Sequence, residues 1–85
     1  MEPGKFYLFS APFFWTFVGR YVRHVGLDIE IADAVYFTKT GATFDILCSK
    51  GMQEGSKYHG PFATYFIPAH PTTKTPWLAK TPWVK

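Results

Sequence analysis

Three histidines, one cysteine and a few carboxylates are the residues of this chain whose types could carry chemistry. His24, His59 and His70 are scattered over a strand end, a loop and a proline-flanked segment, and no pair has the close spacing of a zinc motif. Cys48 would act as a nucleophile only as a thiolate, beside a base in an exposed, electropositive setting. Its position on the apolar side of a short predicted helix marks it instead as a small core residue. Of Asp28, Glu30, Asp33 and Asp45, the first two share one face of a strand without companion pocket residues, which predicts a solvated strand face. Gly41, Gly51, Gly55 and Gly60 fall singly in turns and form no phosphate-cradling run. No catalytic residue, metal ligand or cofactor is therefore assigned, and the chain is expected not to be an enzyme.

Association is the chemistry the sequence favours. Lys74-Thr75-Pro76-Trp77 recurs six residues later as Lys80-Thr81-Pro82-Trp83. Four prolines from Pro68 to Pro82 predict an extended segment. In polyproline II, six residues make two turns of about 19 Å in total, so both tryptophans would project to the same side. Trp is enriched among interface anchors, and Trp77, Trp83, Pro76 and Pro82 are the predicted interface residues. The charge is divided unevenly. Residues 71–85 carry Lys74, Lys80 and Lys85 and no acid, whereas residues 1–70 carry six Lys/Arg against six Asp/Glu. A neutral body argues against a basic nucleic-acid-binding face.

The elements that must position these residues read mainly as strands. Residues 5–9 form a first strand, with a break at Ser10-Ala11-Pro12 and Pro12 at an edge or corner. Between residues 13 and 25 the odd positions Phe13, Trp15, Phe17, Gly19 and Tyr21 make the more apolar face, with Thr16, Arg20 and His24 opposite. Leu27, Ile29 and Ile31 then alternate with Asp28 and Glu30, a half-buried strand. A three-residue loop, His24-Val25-Gly26, spares Val25 a positive φ and predicts Tyr21 opposite Ile29 and Arg20 opposite Glu30. Asp33 interrupts the parity, which predicts a bulge near Ala32-Asp33-Ala34 with Gly19 as the matching weak point. Thr43 caps a short helix through Lys50, with Asp45 in its first turn, Gly51 beyond its end, and Phe44, Leu47 and Cys48 on the buried face. Residues 51–60 read as a polar loop and residues 62–67 as a last strand, ended by Pro68.

Eighty-five residues make one small domain, and its seventeen aromatics exceed what such a core easily hides, so some are expected at an interface. A lone cysteine forms no internal disulfide, which suits a reducing compartment or a protein assembly. The apolar run from Phe6 to Val18 is shorter than the roughly 20 residues of a membrane helix, and Met1-Glu2-Pro3-Gly4-Lys5 lacks the basic start of a signal peptide. Neither membrane insertion nor export by that route is expected.

The stretches Thr16-Phe17-Val18-Gly19-Arg20-Tyr21-Val22 and Leu27-Asp28-Ile29-Glu30-Ile31-Ala32-Asp33-Ala34 resemble the SH3-like and Sm-like small β-barrels over residues 13–37. In those families a strand bent at a glycine leads through a short loop to a strand ending in an Asp-Ala-like step. The Sm-like resemblance implies a ring-forming RNA binder. This chain, however, has no Asp-x-x-Asn after Arg23 and no Arg-Gly step near its last strand, and its helix follows the third strand. Barrel-edge oligomerisation is what the resemblance then implies. Residues 31–41, with Leu47 and Gly51, also resemble small uncharacterised proteins of phage or phage-derived gene clusters, which implies an assembly or virion-like role.

The expected fold is thus mainly β: a small bent-strand barrel over residues 1–70, with one short helix, and an extended arm over residues 71–85. The expected function is a non-enzymatic structural or assembly protein, homo-oligomeric, with its arm docked on neighbouring subunits, in the cytoplasm or within a virion-like assembly. A second reading is a single-stranded nucleic-acid-binding barrel, using aromatic faces for stacking and Lys74, Lys80, Lys85, Arg20 and Arg23 for phosphates. A third is an adaptor for one protein partner.

Overall fold

The apolar and aromatic runs of the first half pair as an antiparallel meander. In the computed structural model, which describes residues 1–11, 15–70 and 72–84, the elements are β1 (Phe6–Ala11), β2 (Trp15–Val25), β3 (Asp28–Lys39), α1 (Phe44–Lys50), β4 (Lys57–Pro68) and β5 (Thr73–Pro76). All pairings are antiparallel, in one sheet of order β4-β3-β2-β1-β5. The mainly-β class and the short helix match expectation. β1 continues through Ser10 and Ala11 rather than breaking there. The expectations for Pro12 and Phe13 fall outside the described residues.

The β2–β3 turn departs from the expected three-residue loop. Val25 pairs with Asp28, which leaves the two-residue turn Gly26-Leu27. Gly26 has φ 60°, as the first position of a type II′ hairpin turn requires, and Val25 escapes a positive φ by joining the strand. Tyr21 consequently faces Ile31 and Arg23 faces Glu30, in place of Tyr21–Ile29 and Arg20–Glu30. Register slips after Val18 and Tyr21 return Phe17, Tyr21, Ile29 and Ile31 to one cluster, with Trp15 packed against it. Leu27, expected on that face, is 89% exposed at the turn.

The predicted bulge lies at Gly19 and Asp33. Val18 pairs with Val35 and Arg20 with Ala32, so Gly19 alone opposes Asp33 and Ala34, and Asp33 takes φ 51°. Two residues against one bend and twist a sheet. The bend is large. In a flat sheet, Pro68 (paired to Asp28) and Thr73 (aligned through Ser10 and Thr16 with Phe37) would stand four strands and nine residues apart, about 35 Å. Yet the Thr72 hydroxyl donates to the Pro68 carbonyl at 2.6 Å, leaving one Cα step, about 3.8 Å, to Thr73. The sheet is therefore strongly curled.

Curling stops short of the expected closed barrel. Among the described residues β4 and β5 do not pair. β5 has four residues against twelve in β4, and it ends at Pro76, which lacks the N–H to extend a ladder. Alternating side chains instead fill two cores. Phe9, Phe17 and Ala34 enter one cluster, while their neighbours Leu8, Val18 and Val35 enter another that is completed by Leu47, Cys48, Trp77 and Trp83. Helix α1 forms as read: Thr43 accepts from the Ile46 N–H at 3.4 Å and the Gly51 N–H donates to Leu47 O at 2.8 Å. Phe44, expected in the buried face, is exposed. β4 starts at Lys57, so the last four residues of the predicted 51–60 loop are strand.

The C-terminal segment is extended only over β5. Beyond it, the Leu78 and Ala79 amides both donate to Cys48 O, and the Val84 amide donates back to Thr81 O. The ring centroids of Trp77 and Trp83 lie 5.8 Å apart, where two polyproline turns would place them about 19 Å apart along the chain. Apolar burial draws the segment back onto the sheet.

Candidate functional site

The predicted interface residues are now placed. Trp77 and Trp83 are buried in the chain's own core, against Phe37 and Tyr58 respectively, and the Trp83 indole N–H donates to Asp33 O at 2.9 Å. Trp77 is 5% and Trp83 6% exposed in the single chain. Pro76 closes β5 opposite Tyr7, and Pro82 is exposed beside Trp83. The candidate phosphate contacts do not converge. Arg20 pairs with Asp33 at 3.3 Å and Arg23 with Glu30 at 2.9 Å. Lys74 donates to Ala69 O at 2.7 Å, Lys80 is exposed elsewhere on the C-terminal segment, and Lys85 lies outside the described residues.

The residues with catalytic potential are similarly dispersed. His24 shares a 2.7 Å hydrogen bond with the Tyr21 hydroxyl, while His59 and His70 are exposed. Among the described residues no three His, Cys, Asp or Glu side chains gather as a metal site. Burial, with the Asp45 carboxylate adding to it, pushes the Cys48 thiol up to about 11. At neutral pH the sulfur is protonated and a poor nucleophile.

What the fold does build is an aromatic groove beside a free sheet edge. Trp15 and Phe17 from β2, Tyr36 from β3 and Phe62, Tyr65 and Phe66 from β4 line an open groove of about 420 Å³. Phe17 lies at its centre, with ring centroids 5.1 Å from Trp15, 5.1 Å from Tyr36 and 4.8 Å from Tyr65. Phe62 continues the row, 5.6 Å from Tyr65. Phe62, Tyr65 and Phe66 remain 39%, 39% and 51% exposed. Among the described residues β4 pairs with β3 alone, so it forms an outer edge of the sheet. No Lys, Arg, Asp or Glu occurs between Lys57 and Lys74.

Sequence reading missed this surface because it assigned residues 62–67 to a barrel strand with paired neighbours. The signal was present: an apolar run without alternation or charge, next to an expected excess of aromatics. Only the strand order reveals that this run is an edge. No protein-family model, curated protein or solved structure matches the chain. No helix among the described residues is long and apolar enough to cross a membrane.

Proposed function

We propose that this chain is a non-enzymatic structural or assembly protein that works by protein–protein association through the β4 edge and its aromatic groove. The observation that carries this reading is the exposure of Phe62, Tyr65 and Phe66 on an edge strand that pairs on one side alone among the described residues and carries no Lys, Arg, Asp or Glu after Lys57. Solvated edges are normally shortened, charged or covered, and contiguous exposed apolar patches mark association surfaces. The contact moves from the C-terminal segment, whose tryptophans are engaged within the chain, to β4. The order β4-β3-β2-β1-β5, with a bent β2–β3 pair and a short link to β5, supports the SH3-like or Sm-like likeness. A role within a larger, virion-like assembly is consistent with such a module.

The nucleic-acid reading has the aromatic surface in its favour, since bases stack on exposed rings. It lacks cations at the groove, where phosphate binding would need them. Light scattering over a range of concentration and salt separates the two. Association by apolar burial is expected to persist or strengthen from about 0.1 to about 0.5 M salt. A chain that stays monomeric throughout, yet binds an oligonucleotide with a steep salt dependence, would replace the assembly reading with the nucleic-acid one.

A further inference from the structure

We infer that the occupant of the β4 edge is β4 of a second copy, paired antiparallel across a two-fold axis. The inference rests on the association reading above and adds the partner and its geometry. The sheet has two outer strands that differ in what protects them. β5 is four residues long, exposes Lys74 and ends at Pro76, and short length, lysine and proline are the devices that keep natural edges from pairing. β4 is twelve residues long, and between Pro61 and Pro68 the six residues Phe62 to Ile67 carry neither proline nor charge. All but Ile67 are exposed.

One edge with an unprotected stretch, Phe62 to Ile67, favours one symmetry. A head-to-tail contact would join β4 of one copy to a different surface of the next, and the other sheet edge among the described residues is the blunted β5. An isologous contact uses β4 twice and closes at two subunits. Charge then favours the antiparallel sense. In-register parallel pairing would set Lys57 against its own copy, a destabilising like-charge pair. Antiparallel pairing carries the two Lys57 side chains to opposite ends of the twelve-residue ladder, about 40 Å apart. Between them lies an uncharged stretch in which, with the axis at Thr64, Phe62 faces Phe66 of the second copy. An acidic or basic peptide finds no counter-charge there, whereas an uncharged aromatic strand fits, and the chain itself supplies one.

Single cysteines test the axis. In a two-fold antiparallel pair, a residue beside the axis meets its own copy at a Cα separation of about 4.5–5.5 Å, within disulfide reach. In a Cys48→Ala background, at least one of Ala63→Cys, Thr64→Cys and Tyr65→Cys is expected to form a covalent dimer on mild oxidation. Thr75→Cys on β5 is expected not to. The unaltered chain is expected to scatter light with twice the 9.7 kDa mass of one copy. Its 62–67 amides should exchange more slowly as concentration rises, a measurement that needs no variant. A wild type monomeric at every concentration, with exchange independent of concentration, sinks the association reading and this inference together. An oligomer larger than a dimer, or cross-linking that requires Thr64→Cys and Thr75→Cys in one chain, keeps association but overturns the two-fold β4 contact.

Discussion

The indole N–H of Trp83 donates to the main-chain oxygen of Asp33, 50 residues earlier and at the centre of the sheet's bend. The C-terminal segment thereby holds the one non-glycine residue at positive φ among the described residues, an uncommon conformation. Trp83→Phe keeps an aromatic ring and removes the donor. The expected loss is about 1 kcal/mol, with more if the Asp33 carbonyl stays buried and unpaired. Urea denaturation measures it, and an unchanged midpoint would show that the bend does not depend on this bond.

Removing residues 71–85 is expected to unfold the chain rather than release a free body. The deletion strips Trp77 and Trp83 from the cluster that contains Leu8, Val18 and Leu47. Losing one such side chain typically costs about 3–5 kcal/mol, against a total stability of about 5–15 kcal/mol for a domain. Far-UV circular dichroism and amide dispersion report the outcome. A truncated chain with native dispersion would show that the segment is an appendage.

Gly19→Val should destabilise by about 1–3 kcal/mol through overpacking. A Cβ at this position would stand 2.9 Å from Ile31 Cδ1 and 3.2 Å from Ala34 Cβ. Gly19→Ala should cost less, because the Ile31 terminal methyl can rotate away. Equal midpoints for wild type and Gly19→Val would rule out close packing at the bulge.

Cys48 predicts an alkaline limb. Burial, aided by Asp45, raises the folded thiol to about 11 from an ordinary 9.0. Between those values the unfolded chain releases a proton that the folded chain retains, so the contribution is fully present below about pH 9 and lost as pH rises toward 11. Cys48→Ala should flatten that part of the stability profile relative to wild type. The folded thiol should also resist a disulfide reagent at neutral pH, and rapid labelling without unfolding would contradict its burial.

Local chemistry was legible in the sequence where it alone decides structure. The Thr43 cap, the Gly51 stop and the Gly19–Asp33 bulge depend on near neighbours and on a break in alternation. The β2–β3 turn was not legible, because Val25 can satisfy either loop length and the two slips that rescue the apolar face lie farther along the β2–β3 ladder. The exposure of β4 was hidden for a related reason. An apolar run reads the same at an edge as in the middle of a sheet, and the placement of Thr73 to Pro76 on β1 leaves β4 without a second partner among the described residues. The fate of Trp77 and Trp83 depended on whether the chain doubles back after Pro76, which the six-residue repeat does not encode.

Pairing between β1 and β5 also sets a timetable for synthesis. Phe6 to Ala11 are made well before their second neighbour and the tryptophans that cover Leu8. At about 5–20 residues per second, the interval between Ala11 and Trp83 is roughly 4–14 s. Throughout it the apolar cluster around Leu8 lacks the two tryptophans that complete its cover. Folding is therefore coupled to the arrival of residue 83, and a chaperone that holds nascent chains has several seconds in which to act on this one.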